Sequence, residues 1–145
     1  MPKKKDLLVT LRSLPLFAAC TEAELKKIDG LSDEVKIEAG REVMRQGELG
    51  REFAVIVSGE AEVVRDGRVV NQLHAGNHFG ELALLESIER NATVTATTDM
   101  VLEVIDRRAF HTLLEDSPSL TRNLLRATAR RLSEVDQELA VERLG

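Results

Sequence analysis

Apolar and polar positions divide the chain into three zones. From Asp6 to Gly30 the apolar residues recur at helical spacing. Leu7, Leu8, Leu11 and Leu14 predict a short helix behind Asp6, and Pro15 interrupts it. Thr21 with Glu24 three residues later is a capping box. Leu25 and Ile28 then form the stripe of a second helix, with Gly30 as its expected stop.

The second zone, Asp33 to Asp106, reads as strands and turns. Val35 and Ile37 alternate with polar neighbours, and Phe53 to Val57 is a continuous apolar run broken by Ser58-Gly59. Ala61, Val63 and Val64 lead to Asp66-Gly67, a strong hairpin signal, after which Val69 and Val70 open a strand that closes at Gly76. Val94, Thr95 and Thr97 make another strand, and Val101 to Ile105 the last. Turn signals this frequent predict a β-sandwich or β-roll rather than a βαβ sheet.

From Arg107 onward the spacing is helical again. Phe110, Leu113 and Leu114 belong to one helix, and Asp116-Ser117-Pro118 marks a break with Pro near the next N-terminus. The final helix carries Leu120, Leu124, Leu125, Thr128, Leu132, Val135 and Leu139 as one long amphipathic stripe. No repeat or linker divides the chain, so the expected organisation is one domain over 1–145. It comprises a helical lead-in (6–30), a strand zone (33–106) and C-terminal helices (107–142).

Composition changes this picture in a few places. The chain has 145 residues, enough to bury a core without disulfides or a structural metal. Its one cysteine, Cys20, fits a reducing compartment, and no run of apolar residues is long enough to cross a membrane. With no apolar signal segment behind Met1–Lys5, the expected location is cytoplasmic. The net charge of −5 argues against a generally basic nucleic-acid binder. Trp and Tyr are absent, and four Phe give a poor stacking platform for single-stranded bases. The Lys3-Lys4-Lys5 run reads as a solvated terminus rather than a tether.

One segment interrupts the strand pattern. Phe79-Gly80-Glu81 precedes the helix-forming run Leu82-Ala83-Leu84-Leu85-Glu86, and Arg90-Asn91-Ala92-Thr93-Val94 follows. Gly80 lets backbone approach a ligand closely, and a helical turn after it presents N–H groups to an anion. Arg90 can fork two donors onto a phosphate, while Glu81 suits a neutral hydroxyl of the same ligand. Together they describe a site for a sugar phosphate.

These two motifs resemble the phosphate-binding cassette of the cyclic-nucleotide-binding domain family, whose members include catabolite activators and regulatory subunits of cAMP-dependent kinase. Leu14-Pro15-Leu16-Phe17 resembles the family's lead-in, and Asp106-Arg107-Arg108-Ala109-Phe110 its passage from strand to helix. The resemblance implies an α+β, mainly β fold. Its centre would be an eight-stranded β-roll of the jelly-roll type, with N-terminal helices, a short cassette helix within 79–94, and two C-terminal helices. It implies that Glu81 takes the ribose 2′-hydroxyl and Arg90 the cyclic phosphate, with Gly80 against the ribose. Backbone N–H groups around Leu82, Ala83 and Ala92 would complete the cradle, and the Asn91 amide would add a donor. Val63 and Leu73 would sandwich the base, with Val135 and Asp136 of the last helix as its cap. The implied ligand is cAMP, with cGMP as the alternative, and the implied role is a regulatory module that moves its C-terminal helix. That module would be no enzyme and would need no metal or other cofactor.

Glu89 stands where many members have Pro, and the net charge from Glu81 to Arg90 is −2, which favours phosphate only if Glu86 and Glu89 face solvent. A nucleotide-independent interaction module on the same fold is therefore the alternative. His74, His78 and Glu81 form a poor cupin-like metal set, because the two His are four residues apart across Gly76. Arg122, Arg126 and Arg130 read as a solvated face, or as a docking patch. The long final stripe favours a homodimer through the last helix, or an unidentified protein target. With no helix-turn-helix before Gly145, direct DNA binding is not expected.

Overall fold

A computed structural model describes residues 13–80 and 89–144, with the side chains of the last helix as far as Ser133. The helix expected from Asp6, with Leu7, Leu8 and Leu11, lies outside the described residues, as do Glu81, Leu82, Ala83 and Glu86.

The described residues form an eight-stranded β-roll with helices on one side. One antiparallel sheet has the order β1 (Asp33–Ile37), β8 (Met100–Asp106), β3 (Glu52–Ser58), β6 (His78–Phe79). The other has β2 (Glu42–Met44), β7 (Thr93–Ala96), β4 (Ala61–Arg65), β5 (Arg68–Leu73). Among the described residues the helices are, in chain order, α1 (Glu22–Leu31), α2 (Arg107–Asp116) and α3 (Pro118–Leu144), with a 3-10 turn at Pro15–Phe17.

Two cores share β3 and β8. Residues on a strand alternate faces, so Phe53 and Val55 point toward the helices while Ala54 and Ile56 point into the roll. This explains the unbroken apolar run in β3, which is buried on both sides. The helix-side core gathers Phe17, Leu25, Ile28, Phe110, Leu113, Leu120 and Leu124 around Phe53 and Ile105. The Phe53 and Phe110 ring centroids lie 4.9 Å apart. Inside the roll, Ile37, Leu73, Phe79, Val94, Met100 and Leu102 close the second core.

The helix ends follow local chemistry. Thr21 and Glu24 form the reciprocal capping box at 3.0 and 3.1 Å. Asp106 caps α2 by accepting from the Ala109 N–H at 2.8 Å. Pro118 opens α3. Gly30 does not stop α1, which continues to Leu31 and ends with the Ser32 N–H donating to the Asp29 carbonyl. Gly30 keeps helical dihedrals here, so glycine alone did not end the helix.

The apolar stripe on α3 is core only in part. Leu120 and Leu124 are buried against the roll, whereas Leu125 and Leu132 are 66% and 62% exposed. The first half of α3 is tied down by Asn123, whose amide donates to the Leu16 and Ala18 carbonyls at 3.0 and 2.6 Å. No helix is long and apolar enough to cross a membrane, among the described residues.

Candidate functional site

A cleft of about 230 Å³ opens between the second sheet and the segment around Arg90. Its sheet wall is built by alternation. Val63 and Arg65 of β4, Asn71 and Leu73 of β5, and Ala92 and Val94 at β7 are each two residues apart and share one face. Register fixes their neighbours: Val63 pairs with Asn71 on one side and with Val94 on the other. Met44 of β2, His78 and Phe79 of β6, Gly80, Glu89, Arg90 and Asn91 complete the wall, with Arg131 reaching in from α3.

Arg90 is the buried charge of the cleft, 9% exposed. Its backbone is held from both sides, its N–H donating to the Glu48 carbonyl at 2.7 Å and its carbonyl accepting from Gly47 at 2.9 Å. Its side chain is held as well: Nη1 donates to the Gly80 carbonyl at 2.8 Å and Nη2 to the Glu52 carbonyl at 2.6 Å. Two carbonyl acceptors on a planar guanidinium fix its plane and aim. A buried guanidinium oriented by the protein in this way has the chemistry that an anion would need from a receptor.

Gly80 is obligatory for that arrangement. Its φ is +95°, a conformation that L side chains rarely adopt. An added Cβ would sit 2.5 Å from Met44 Cε, 2.7 Å from Arg90 Nη1 and 2.8 Å from the Glu52 carbonyl. Only a residue without a side chain lets the guanidinium reach this point.

The electrostatics oppose those of the whole chain. The described lining residues carry Arg65, Arg90 and Arg131 against one acid, Glu89, which is exposed. The Arg65 Nε donates to the Asn91 carbonyl at 3.1 Å and so braces the backbone just after Arg90. The Arg131 Nη2 donates to the His78 carbonyl at 3.2 Å, which ties α3 to the cleft mouth.

The structure thus brings together Gly80, Arg90, Asn91, Ala92, Val63 and Leu73 of the expected set. Glu81, Leu82 and Ala83 lie outside the described residues, and so do the side chains of Val135 and Asp136. Met44, Arg65, Asn71 and Arg131 were not anticipated. Arg65 and Asn71 were legible in principle, because they follow Val63 and precede Leu73 by two positions on the same face. Arg131 carried no local signal. The metal reading finds no support: His74 is exposed beside Glu60, His78 is buried against Phe53, and no metal-holding group of three or more residues occurs among the described residues.

Comparison with known proteins agrees with this geometry. Residues 34–117 match the family model described as "Cyclic nucleotide-binding domain". The cAMP-dependent protein kinase regulatory subunit of Schizosaccharomyces pombe is 41% identical over 118 residues, 81% of this chain and 29% of that protein. The corresponding subunit of Eremothecium gossypii is 38% identical over 114 residues, 77% of this chain and 25% of that protein. The chain therefore spans less than a third of the length of these relatives. Among solved structures, the Thermus thermophilus catabolite activator protein superposes with a TM-score of 0.80 at 30% identity, over 88% of this chain and 62% of the other. The regulatory domain of Toxoplasma gondii PKA, crystallised with cAMP, gives 0.68 at 34% identity, over 77% of this chain and 44% of the other.

Proposed function

The chain belongs to the cyclic nucleotide-binding domain family, and on that premise we propose that it binds cAMP in the cleft and works as a regulatory sensor. The observation that carries this reading is the buried, pre-aimed guanidinium of Arg90, held by the Gly80 and Glu52 carbonyls at the end of an apolar-walled cleft. Arg90 would receive the cyclic phosphate, with the backbone around Ala92 and the Asn91 amide beside it. Glu81 would accept the ribose 2′-hydroxyl, and the Leu82 and Ala83 backbone would complete the cradle. Val63 and Leu73 would hold the base. The names of the kinase-subunit relatives support cAMP over cGMP.

The output in this reading is movement of α3, with Val135 and Asp136 toward the base. The cleft volume of about 230 Å³ is below the ~300–1,000 Å³ usual for small-molecule clefts. Arg131 stands at its mouth. A nucleotide that engages Arg131 would bias the position of α3, and it moves that equilibrium only by its differential affinity for the two positions. A second copy of the chain or another protein would read the new position.

Thermal unfolding tests the binding. A ligand at a hundred times its Kd stabilises the folded state by ~2.7 kcal/mol. For a domain this size that raises the Tm by roughly 5–10 °C. Saturating cAMP is expected to give such a rise in the native chain and none in Arg90→Leu. An equal rise in the variant would remove Arg90 from the site. Hydrogen exchange along α3 tests the coupling: protection of residues near Arg131 should change with cAMP, and an unchanged helix would contradict it.

A further inference from the structure

We propose that a basic groove on the first half of α3 is a second ligand site, distinct from the Arg90 cleft, and that it takes a small molecule carrying two or more phosphate groups. The groove has a volume of about 460 Å³, within the ~300–1,000 Å³ usual for small-molecule sites. Three parts of the chain wall it. They are the 3-10 turn at Pro15 and Leu16, the β5–β6 turn at Gly76 and Asn77, and the face of α3 that carries Arg126, Arg130 and Arg131. Residues three and four apart on a helix are neighbours. Asn123, Arg126 and Arg130 therefore form one row, and Asn123, Ala127 and Arg131 the row beside it. Of the series Arg122, Arg126 and Arg130, the last two line the groove and Arg122 does not.

The walls are held against one another. The Asn123 amide donates to the Leu16 and Ala18 carbonyls, which fastens α3 to the 3-10 turn. Gly76 has a φ of +91°, and its N–H donates to the Ile56 carbonyl at 2.8 Å. A Cβ added there would lie 3.3 Å from Pro15 Cδ, so the β5–β6 turn packs directly on the 3-10 turn. The Asn77 Oδ1 accepts from the His74 N–H at 2.8 Å, which leaves the NH2 of that amide as the group that can donate to a ligand.

Charge identifies the ligand. The lining holds three guanidinium groups and no carboxylate, in a chain of net charge −5. Arg126 and Arg130 make no ion pair among the described residues. Like charges four residues apart on a helix repel, so this arrangement does not serve the helix that carries it, and an anion lying between the two arginines removes the repulsion. Guanidinium and amide N–H groups only donate, so the complementary ligand is one that accepts at every oxygen. Phosphate does so, and its oxygens match the fork of an arginine. One phosphate answers one fork. Arginines on successive turns call for linked phosphates, the chemistry shared by inorganic polyphosphate and a nucleoside triphosphate. An acidic peptide would bring backbone N–H donors into a groove whose side chains offer them no carboxylate. Arg131 also lines the Arg90 cleft, where it donates to the His78 carbonyl, so the two sites lie back to back and Arg131 is left intact in the test.

Isothermal calorimetry of the whole chain with inorganic tripolyphosphate, free of nucleotide and divalent cations, tests this. Saturable binding that weakens as salt is raised is expected. The double variant Arg126→Gln, Arg130→Gln changes two exposed positions and should keep the native Tm while lowering the affinity at least about tenfold. Arg90→Leu should bind tripolyphosphate as the native chain does. A parallel titration with adenosine triphosphate separates the two sources: tighter binding than tripolyphosphate assigns the groove to a nucleotide, equal or weaker binding to inorganic polyphosphate. Absence of binding by both at millimolar concentration, affinity undiminished in the double variant, or binding lost in Arg90→Leu would overturn the site. A silent cAMP titration beside intact tripolyphosphate binding would count against the proposed function alone and leave the groove standing.

Discussion

Glu103 is buried, 2% exposed, on the helix-facing side of β8. Burial is the main reason its carboxyl is held above the usual carboxylate range. The acids Glu34, Asp29 and Asp33 add to this, and the Ser32 hydroxyl offsets part of it. The folded chain thus holds this proton more tightly than the unfolded chain. Stability is then fullest below the ordinary carboxylate value and falls as pH rises through the raised one. Glu103→Gln should flatten that fall and raise the Tm at neutral pH. A lower Tm at pH 7, measured by calorimetric scanning, would contradict the assignment. Cys20 behaves as a core thiol, pushed up to about 11 by burial and by Glu24. It should resist labelling by thiol reagents at pH 7 until the chain unfolds. Gly80→Ala forces a side chain against Arg90 Nη1 at a positive φ. Backbone strain of ~1–3 kcal/mol and a displaced guanidinium are expected, so both Tm and cAMP affinity should drop. A variant that keeps full affinity would show that Arg90 can be aimed another way.

At the level of elements, the caps and the shared core determine what a substitution costs. Thr21→Ala removes the hydroxyl half of the capping box and should cost ~0.5–2 kcal/mol in denaturant unfolding, with no effect on the cleft. Phe110→Ala empties the contact with Phe53 and should cost ~3–5 kcal/mol. Elements with strong local chemistry were legible in the sequence. Asp66-Gly67 marks the β4–β5 turn, Thr21 and Glu24 the start of α1, and Ser117-Pro118 the step from α2 to α3. β2 and β6 are three and two residues long, too short to show a period, and exist because neighbouring strands offer them partners. On α3 the division between buried and exposed leucines was not legible residue by residue. Apolar spacing shows which residues share a helix, not which of two neighbouring faces meets the roll.

At the scale of the molecule, the site combines distant parts of the chain: Glu52 of β3, Gly80 after β6, Arg90 before β7 and Arg131 of α3. Gly80 and Arg90 were readable because the cassette is local and its motif dense. Arg131 was not, because only the packing of α3 on the roll brings it to the His78 carbonyl. The fold thus brings the Arg90 cleft into contact with the middle of a long helix on which Leu125 and Leu132 are exposed. The proposed function rests on Arg90 as the phosphate-binding group of this cleft. Isothermal calorimetry of the chain against cAMP and cGMP, repeated with Arg90→Leu after its fold is checked by circular dichroism, tests it most directly. Saturable one-site heat with cAMP, weaker binding of cGMP and no binding in the variant are expected. A folded native chain, stripped of any co-purified nucleotide, that gives no heat with either would contradict it, as would a variant that binds undiminished.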